Sequence, residues 1–173
     1  MHKTIFLLIF VMAICLMNKD LFSQWEECSE DLPDTHSNYW WINTYNSNLI
    51  AWNRSDKIYF SSNNGDNWSL KNKGLEGSWV SIVKLKNDII YAGTINLGVY
   101  VSTDKGENWV QRNNGLTDSI ISTLTITENY IFAGGTSSYQ GVYRSSDNGK
   151  SWEPKSNGIK DSSNIMKMSS NDN

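Results

Sequence analysis

An eight-residue phrase occurs three times in this 173-residue chain, at Ser61–Trp68 (SSNNGDNW), Ser102–Trp109 (STDKGENW) and Ser145–Trp152 (SSDNGKSW). Each copy reads Ser, any residue, Asp or Asn, any, Gly, any, any, Trp. The tryptophans stand 41 and 43 residues apart. A period in the forties marks a repeat architecture rather than one irregular domain. The register extends beyond the phrase. A cation follows each Trp by three residues (Lys71, Arg112, Lys155), a glycine by six (Gly74, Gly115, Gly158) and an aliphatic by seven (Leu75, Leu116, Ile159). Upstream, Tyr91-Ala92-Gly93 matches Phe132-Ala133-Gly134, and Gly98-Val99-Tyr100 matches Gly141-Val142-Tyr143.

Between the phrases lie short apolar runs bounded by turn residues, with no sustained helical period. The first unit reads as strands at 39–44, 49–53, 57–61 and from Trp68. The second has strands at 79–85, 89–94, 98–102 and 109–112, with Trp79, Ser81, Val83 and Leu85 alternating on one face. The third has strands at 120–127, 130–134, 141–145 and 152–154. Residues 25–32 align with the stretch after Trp152, so Trp25 opens the last strand of an earlier unit. After Ile159 the chain restarts, with 164–168 at the position of 121–125. The expected organisation is three complete units (37–72, 78–113, 119–156) and a shared partial one (25–32 and 163–169) within 24–173. It is either a portion of a longer array or a chain that assembles, since unpaired edges favour a partner copy.

Four short antiparallel strands per repeat make the blade of a β-propeller, so the fold class is all-β. The phrase resembles the Asp-box, or BNR repeat, of sialidases, the sortilin ectodomain, xyloglucanases and photosystem II assembly factors. That resemblance implies that the box forms the hairpin between the third and fourth strands, away from the catalytic face. The residue types fit a turn. Gly65, Gly106 and Gly149 supply positive φ. Asn63, Asp104 and Asp147 accept backbone N–H bonds, and Ser61, Ser102 and Ser145 tie the other side. Trp68, Trp109 and Trp152 supply apolar area between blades.

No reaction is legible. One histidine, His36, follows the N-terminal region, and there is no HExxH, GxSxG or Cys/His cluster, so no catalytic, metal or cofactor residue is nominated. The sialidase resemblance implies an arginine triad, but only Arg54, Arg112 and Arg144 are present, and the boxes lack the family's Arg-Ile-Pro motif. Glycoside cleavage needs two facing carboxylates, and Asp88, Asp118 and Glu128 qualify only by being acidic. Tyr139, in the loop 135–140, is the contact candidate, and one of Trp40 and Trp41 is free to stack on a sugar or dock a partner.

His2 and Lys3 precede an apolar run from Ile5 to Met17, too short to span a bilayer and placed as a secretory signal ending near Ser23. Its removal leaves Cys28 as a single thiol. The formal charge of −3, without a basic stripe, argues against nucleic acid. The expected function is a secreted or periplasmic, non-enzymatic binding or scaffold propeller for a protein or glycan, not membrane-bound after cleavage and capable of homo-oligomerising. A degenerate or truncated sialidase-like hydrolase is the alternative.

Overall fold

Short apolar runs bounded by turns fold the described residues into twelve strands, β1 to β12, in three four-stranded antiparallel sheets. The computed structural model describes residues 40–45, 48–135, 141–159, 165 and 167–169. The signal segment, the strand expected at 25–32, Cys28, His36, Tyr39 and Tyr139 lie outside the described residues.

Sheet one holds β1 (Trp41–Tyr45), β2 (Asn48–Trp52), β3 (Ile58–Ser61) and β4 (Ser69–Leu70). Sheet two holds β5 (Val80–Lys86), β6 (Ile89–Thr94), β7 (Val99–Ser102) and β8 (Val110–Gln111). Sheet three holds β9 (Ile121–Ile126), β10 (Ile131–Gly135), β11 (Val142–Ser145) and β12 (Glu153–Pro154). Each sheet runs through its strands in chain order. Each is a blade with its first strand innermost, because first strands are what neighbouring blades share: β5 packs on β9.

Burial follows this order. In the first two blades the second and third strands are covered on both faces, in the third blade Phe132, Val142 and Arg144 are only half-buried, and the two-residue fourth strands are exposed. Such short outer strands blunt an edge that would otherwise pair with other chains. The period of two sorts one strand between two interfaces. Ile90 and Ala92 face the first blade, in a core with Ile50, Trp52, Ile58 and Phe60. Tyr91, between them, faces the third, in a core with Ile121, Leu124, Ile131 and Tyr143. A smaller cluster of Leu49, Ala51, Tyr59 and Trp68 lies on the other face of the first blade, with Trp40 and Ile42 against it.

One sequence expectation fails here. Trp79, Ser81, Val83 and Leu85 do not share a face. The ladder pairs Val80 with Thr94 and Ile82 with Gly93, so Ser81 is an extra residue and the parity of β5 changes at it. Val80 and Val83 are both buried against the first blade, while Trp79 is 57% exposed. The third blade repeats the device: Gly134 pairs with Thr123 and Gly135 with Ile121, leaving Ser122 extra. Both bulged serines bridge blades. Ser81 Oγ donates to Ile121 O, and Ser122 Oγ donates to Ile165 O at 2.6 Å. Ile165 therefore lies one blade on from Ile121, one residue out from the sequence alignment. Its N–H donates to Gly135 O at 3.2 Å, and Met168 N donates to Thr123 Oγ1 at 3.1 Å. Ile165 and residues 167–169 thus run along β9 as a fourth inner segment.

Candidate functional site

The three boxes fold alike. In each, two consecutive residues take positive φ: Asn64 and Gly65 (60° and 97°), Lys105 and Gly106 (59° and 87°), Asn148 and Gly149 (58° and 82°). The next residue's N–H returns to the carbonyl before them, as in Asp66 N to Asn63 O at 3.2 Å. This is the turn whose twist suits a two-residue hairpin. The sequence flagged only the second of these positions, because Asn, Lys and Asn at the first carry no common signal.

The box side chains serve the turn. Ser102 Oγ accepts Gly106 N–H at 2.8 Å and donates to Asp104 Oδ1 at 2.8 Å, and Asp104 accepts Asn108 N–H at 2.9 Å and Asn108 Nδ2 at 2.8 Å. Ser145, Asp147, Gly149 and Ser151 repeat the set, with the Ser151 hydroxyl in place of the amide. Ser61, Asn63, Gly65 and Asn67 do so without charge. Hydrogen bonds from the Asn108 side chain and backbone, then from Ser102, hold the Asp104 carboxyl down at about 2. Burial pushes Asp147 up, but the Ser151 and Ser145 donors outweigh it and bring it to about 2. Carboxylate oxygens committed in this way are poorly placed to hold a cation.

The tryptophans join blades through polar as well as apolar contacts. Trp109 Nε1 donates to Lys71 O and Trp152 Nε1 to Arg112 O, both at 2.9 Å. Their backbone N–H groups donate to Lys73 O and Asn114 O. The repeated cation position is therefore used through its carbonyl. Its side chains act singly, Lys71 on Glu107 and Lys155 on Glu153. The repeated glycine is explained by the same seam. A Cβ on Gly74 would lie 2.4 Å from Trp109 O, and one on Gly115 2.1 Å from Trp152 O.

The other nominated groups do not converge. Arg54, Arg112 and Arg144 stand on three blades. Arg54 lies over Trp41 at 5.8 Å, and Arg144 lies over Tyr130 at 4.5 Å and bonds Glu153. Asp118 precedes β9 and caps Ile120 N–H at 2.8 Å, whereas Glu128 follows β9 and Asp88 sits in the β5–β6 turn. Trp41 stacks on Trp52 at 6.3 Å and Trp40 meets Tyr59 edge-on at 5.7 Å, so packing takes up both.

Two features at opposite ends of the blades remain. Each first strand runs from the end holding the β2–β3 and β4–β5 connections to the end holding the β1–β2 turns and the boxes. At the first end, Trp79 is exposed on a pinned backbone: its N–H donates to Asn96 Oδ1 at 3.0 Å, and its carbonyl accepts Ile95 N–H at 2.9 Å. Asn96 Nδ2 also donates to Gly77 O at 2.9 Å. Sequence reasoning missed this residue because an unrecognised bulge put it on the core face. At the other end, a cavity of about 390 Å³ opens among Asn43, Thr44, Lys84, Leu85, Thr125, Ile126 and residues 167–169. The first six are matching positions on the three first strands, and residues 167–169 belong to the fourth segment, so the cavity lies where the inner strands meet.

Blades, inner strands and hairpin boxes of this kind define a β-propeller chain. The BNR/Asp-box repeat family's model matches residues 143–154, which contain the third copy of the box. The structure is similar to YCF48 from Cyanidioschyzon merolae, with a TM-score of 0.52 and 16% identity over 65% of this chain and 35% of that one. It is similar to the GH74 xyloglucanase of Xanthomonas campestris, with a TM-score of 0.51 and 14% identity over 62% of this chain and 21% of that one. It is also similar to the computationally designed Ika4 protein, with a TM-score of 0.53 and 11% identity over 72% of each chain. At these identities the likeness is one of fold. The chain spans about a third of YCF48 and a fifth of the xyloglucanase. No curated protein sequence matches it.

Proposed function

We propose that this chain is an exported, non-enzymatic binding propeller that engages a protein or glycan at the end carrying Trp79. The supporting observation is Trp79 itself, a large ring 57% exposed on a backbone fixed by Asn96 and Ile95. An aromatic held in place loses little freedom on contact, and its face suits a sugar ring or an apolar anchor. Arg54 and the Ser55 carbonyl, which accepts Val80 N–H at 3.2 Å, border the same end from the first blade and supply polar partners. Export rests on the apolar run behind His2 and Lys3.

Isothermal titration of soluble xyloglucan, sialoside and cello-oligosaccharides, beside capture of proteins from the exporting cell's envelope, tests this reading. Binding that Trp79→Ala removes while leaving the melt unchanged supports it. Release of new reducing ends from any glycan would overturn the non-enzymatic assignment. Retention of the precursor in the cytoplasm would overturn export.

A further inference from the structure

The cavity at the box end carries an unbalanced charge. Among the described residues its lining includes two lysines, Lys84 on β5 and Lys167 on the fourth segment, and no carboxylate. Lys84 is half-buried and Lys167 is exposed, and among the described residues neither ammonium makes a hydrogen bond or ion pair. Other lysines are engaged: Lys86 Nζ donates to Thr127 O at 2.8 Å and to Glu128 O, Lys71 pairs with Glu107 and Lys155 with Glu153. Asp88 and Glu128, in the nearby turns, are not part of the lining. Thr125 is largely buried, and its side chain lines the same cavity. Asn43 is fixed in place, donating from Nδ2 to Val83 O at 3.1 Å and accepting Thr44 N–H at 2.9 Å.

The repeat does not impose this lining. Asn43, Lys84 and Thr125 occupy one register, each just before the residue paired with Leu49, Ile90 or Ile131. The box serines, glycines and tryptophans keep their residue type from blade to blade, but this position changes. Two ammonium groups lining one cavity without a counter-charge repel each other. An anion between them relieves both. We propose that the cavity is a subsite for a small anion, its carboxylate or phosphate oxygens held by Lys84, Lys167 and the Thr125 hydroxyl. Its volume falls in the lower part of the range of small-molecule sites, roughly 300–1,000 Å³. Lysine ammonium groups are point charges rather than forks, so they do not choose between the two anion types.

The test is calorimetric titration of the full chain with citrate, glucuronate, inorganic phosphate and neutral glucose. Citrate, glucuronate or phosphate is expected to bind, more weakly as salt rises, and glucose is not. Tighter citrate and glucuronate assigns a carboxylate ligand, and tighter phosphate assigns a phosphate ligand. Lys84→Gln and Lys167→Gln should each weaken binding about tenfold, as loss of a charge-assisted hydrogen bond does. Lys84→Arg should retain it, and Trp79→Ala, at the other end, should leave it unchanged. Three results overturn the proposal: no anion binding in the millimolar range, wild-type affinity in a folded Lys84→Gln protein, or equal weakening by Lys150→Gln, an exposed lysine of the third box. Because the two sites are at opposite ends, failure here leaves the Trp79 reading standing.

Discussion

Two glycines at the same place in the repeat allow the blade seam to be weighed directly. Gly115 and Gly158 each stand six residues after a box tryptophan, with φ of 83° and 87°. A Cβ on Gly115 would sit 2.1 Å from Trp152 O and 3.1 Å from its carbonyl carbon. On Gly158 it meets nothing within 4 Å among the described residues. Gly158→Ala therefore carries only the left-handed backbone cost, about 1–2 kcal/mol. Gly115→Ala carries the same cost and must also push the third blade's tryptophan off the seam. Overpacking of this kind costs about 1–3 kcal/mol more, and the carbonyl belongs to backbone that cannot rotate away. The difference between the variants, about 1–3 kcal/mol, isolates the seam from the conformational term. Urea melts of both variants and the parent, compared at constant m-value, give it. Equal destabilisation would refute the inter-blade explanation of the repeated glycine.

Trp109→Ala should destabilise by about 3–5 kcal/mol, since it empties the seam and strands the Lys71 carbonyl; a change under about 1 kcal/mol in the same melt counts against the role. Tyr91→Phe should be neutral or stabilising by about 1 kcal/mol, because the Tyr91 hydroxyl is buried without a partner, its pKa is pushed up to about 12 by burial, and Phe132 already fills the equivalent place; a clear loss in thermal melting would mean the hydroxyl is satisfied. Asp104 and Asp147 titrate at about 2 in the fold against an ordinary 3.8, so their boxes contribute stability that is full above the ordinary value and lost as pH falls through about 2. Asp104→Asn should flatten that acid limb in a melt series, as Asn63 keeps the first box uncharged; an unchanged limb places the acid sensitivity elsewhere.

The fold was legible to a large extent because its signals are local. Each box sets a hairpin from its own side chains, and four strands per period follow from the apolar runs. Within the three complete units the expected and observed strands agree to within two residues at each end given, and 89–94 coincides. The strand expected at 25–32 lies outside the described residues, and 165 and 167–169 form no strand. The candidate sites were much less legible. Trp79 was misassigned because a single extra residue, Ser81, reverses the parity of a strand, and nothing in the composition of β5 marks it. The cavity was not legible because Asn43, Lys84, Thr125 and Lys167 follow no motif; only the meeting of four inner segments makes them neighbours.

By itself, then, the sequence determined the period, the hairpin chemistry and the blade, since these depend on contacts within a few residues. Tertiary structure alone decided what the repeated cation and glycine are for: a carbonyl that accepts the next tryptophan's indole, and room for that tryptophan's own carbonyl. It also decided which lysines are without counter-charges. Those outcomes depend on groups about forty residues apart, and stacking one blade on the next is what brings them within hydrogen-bonding range.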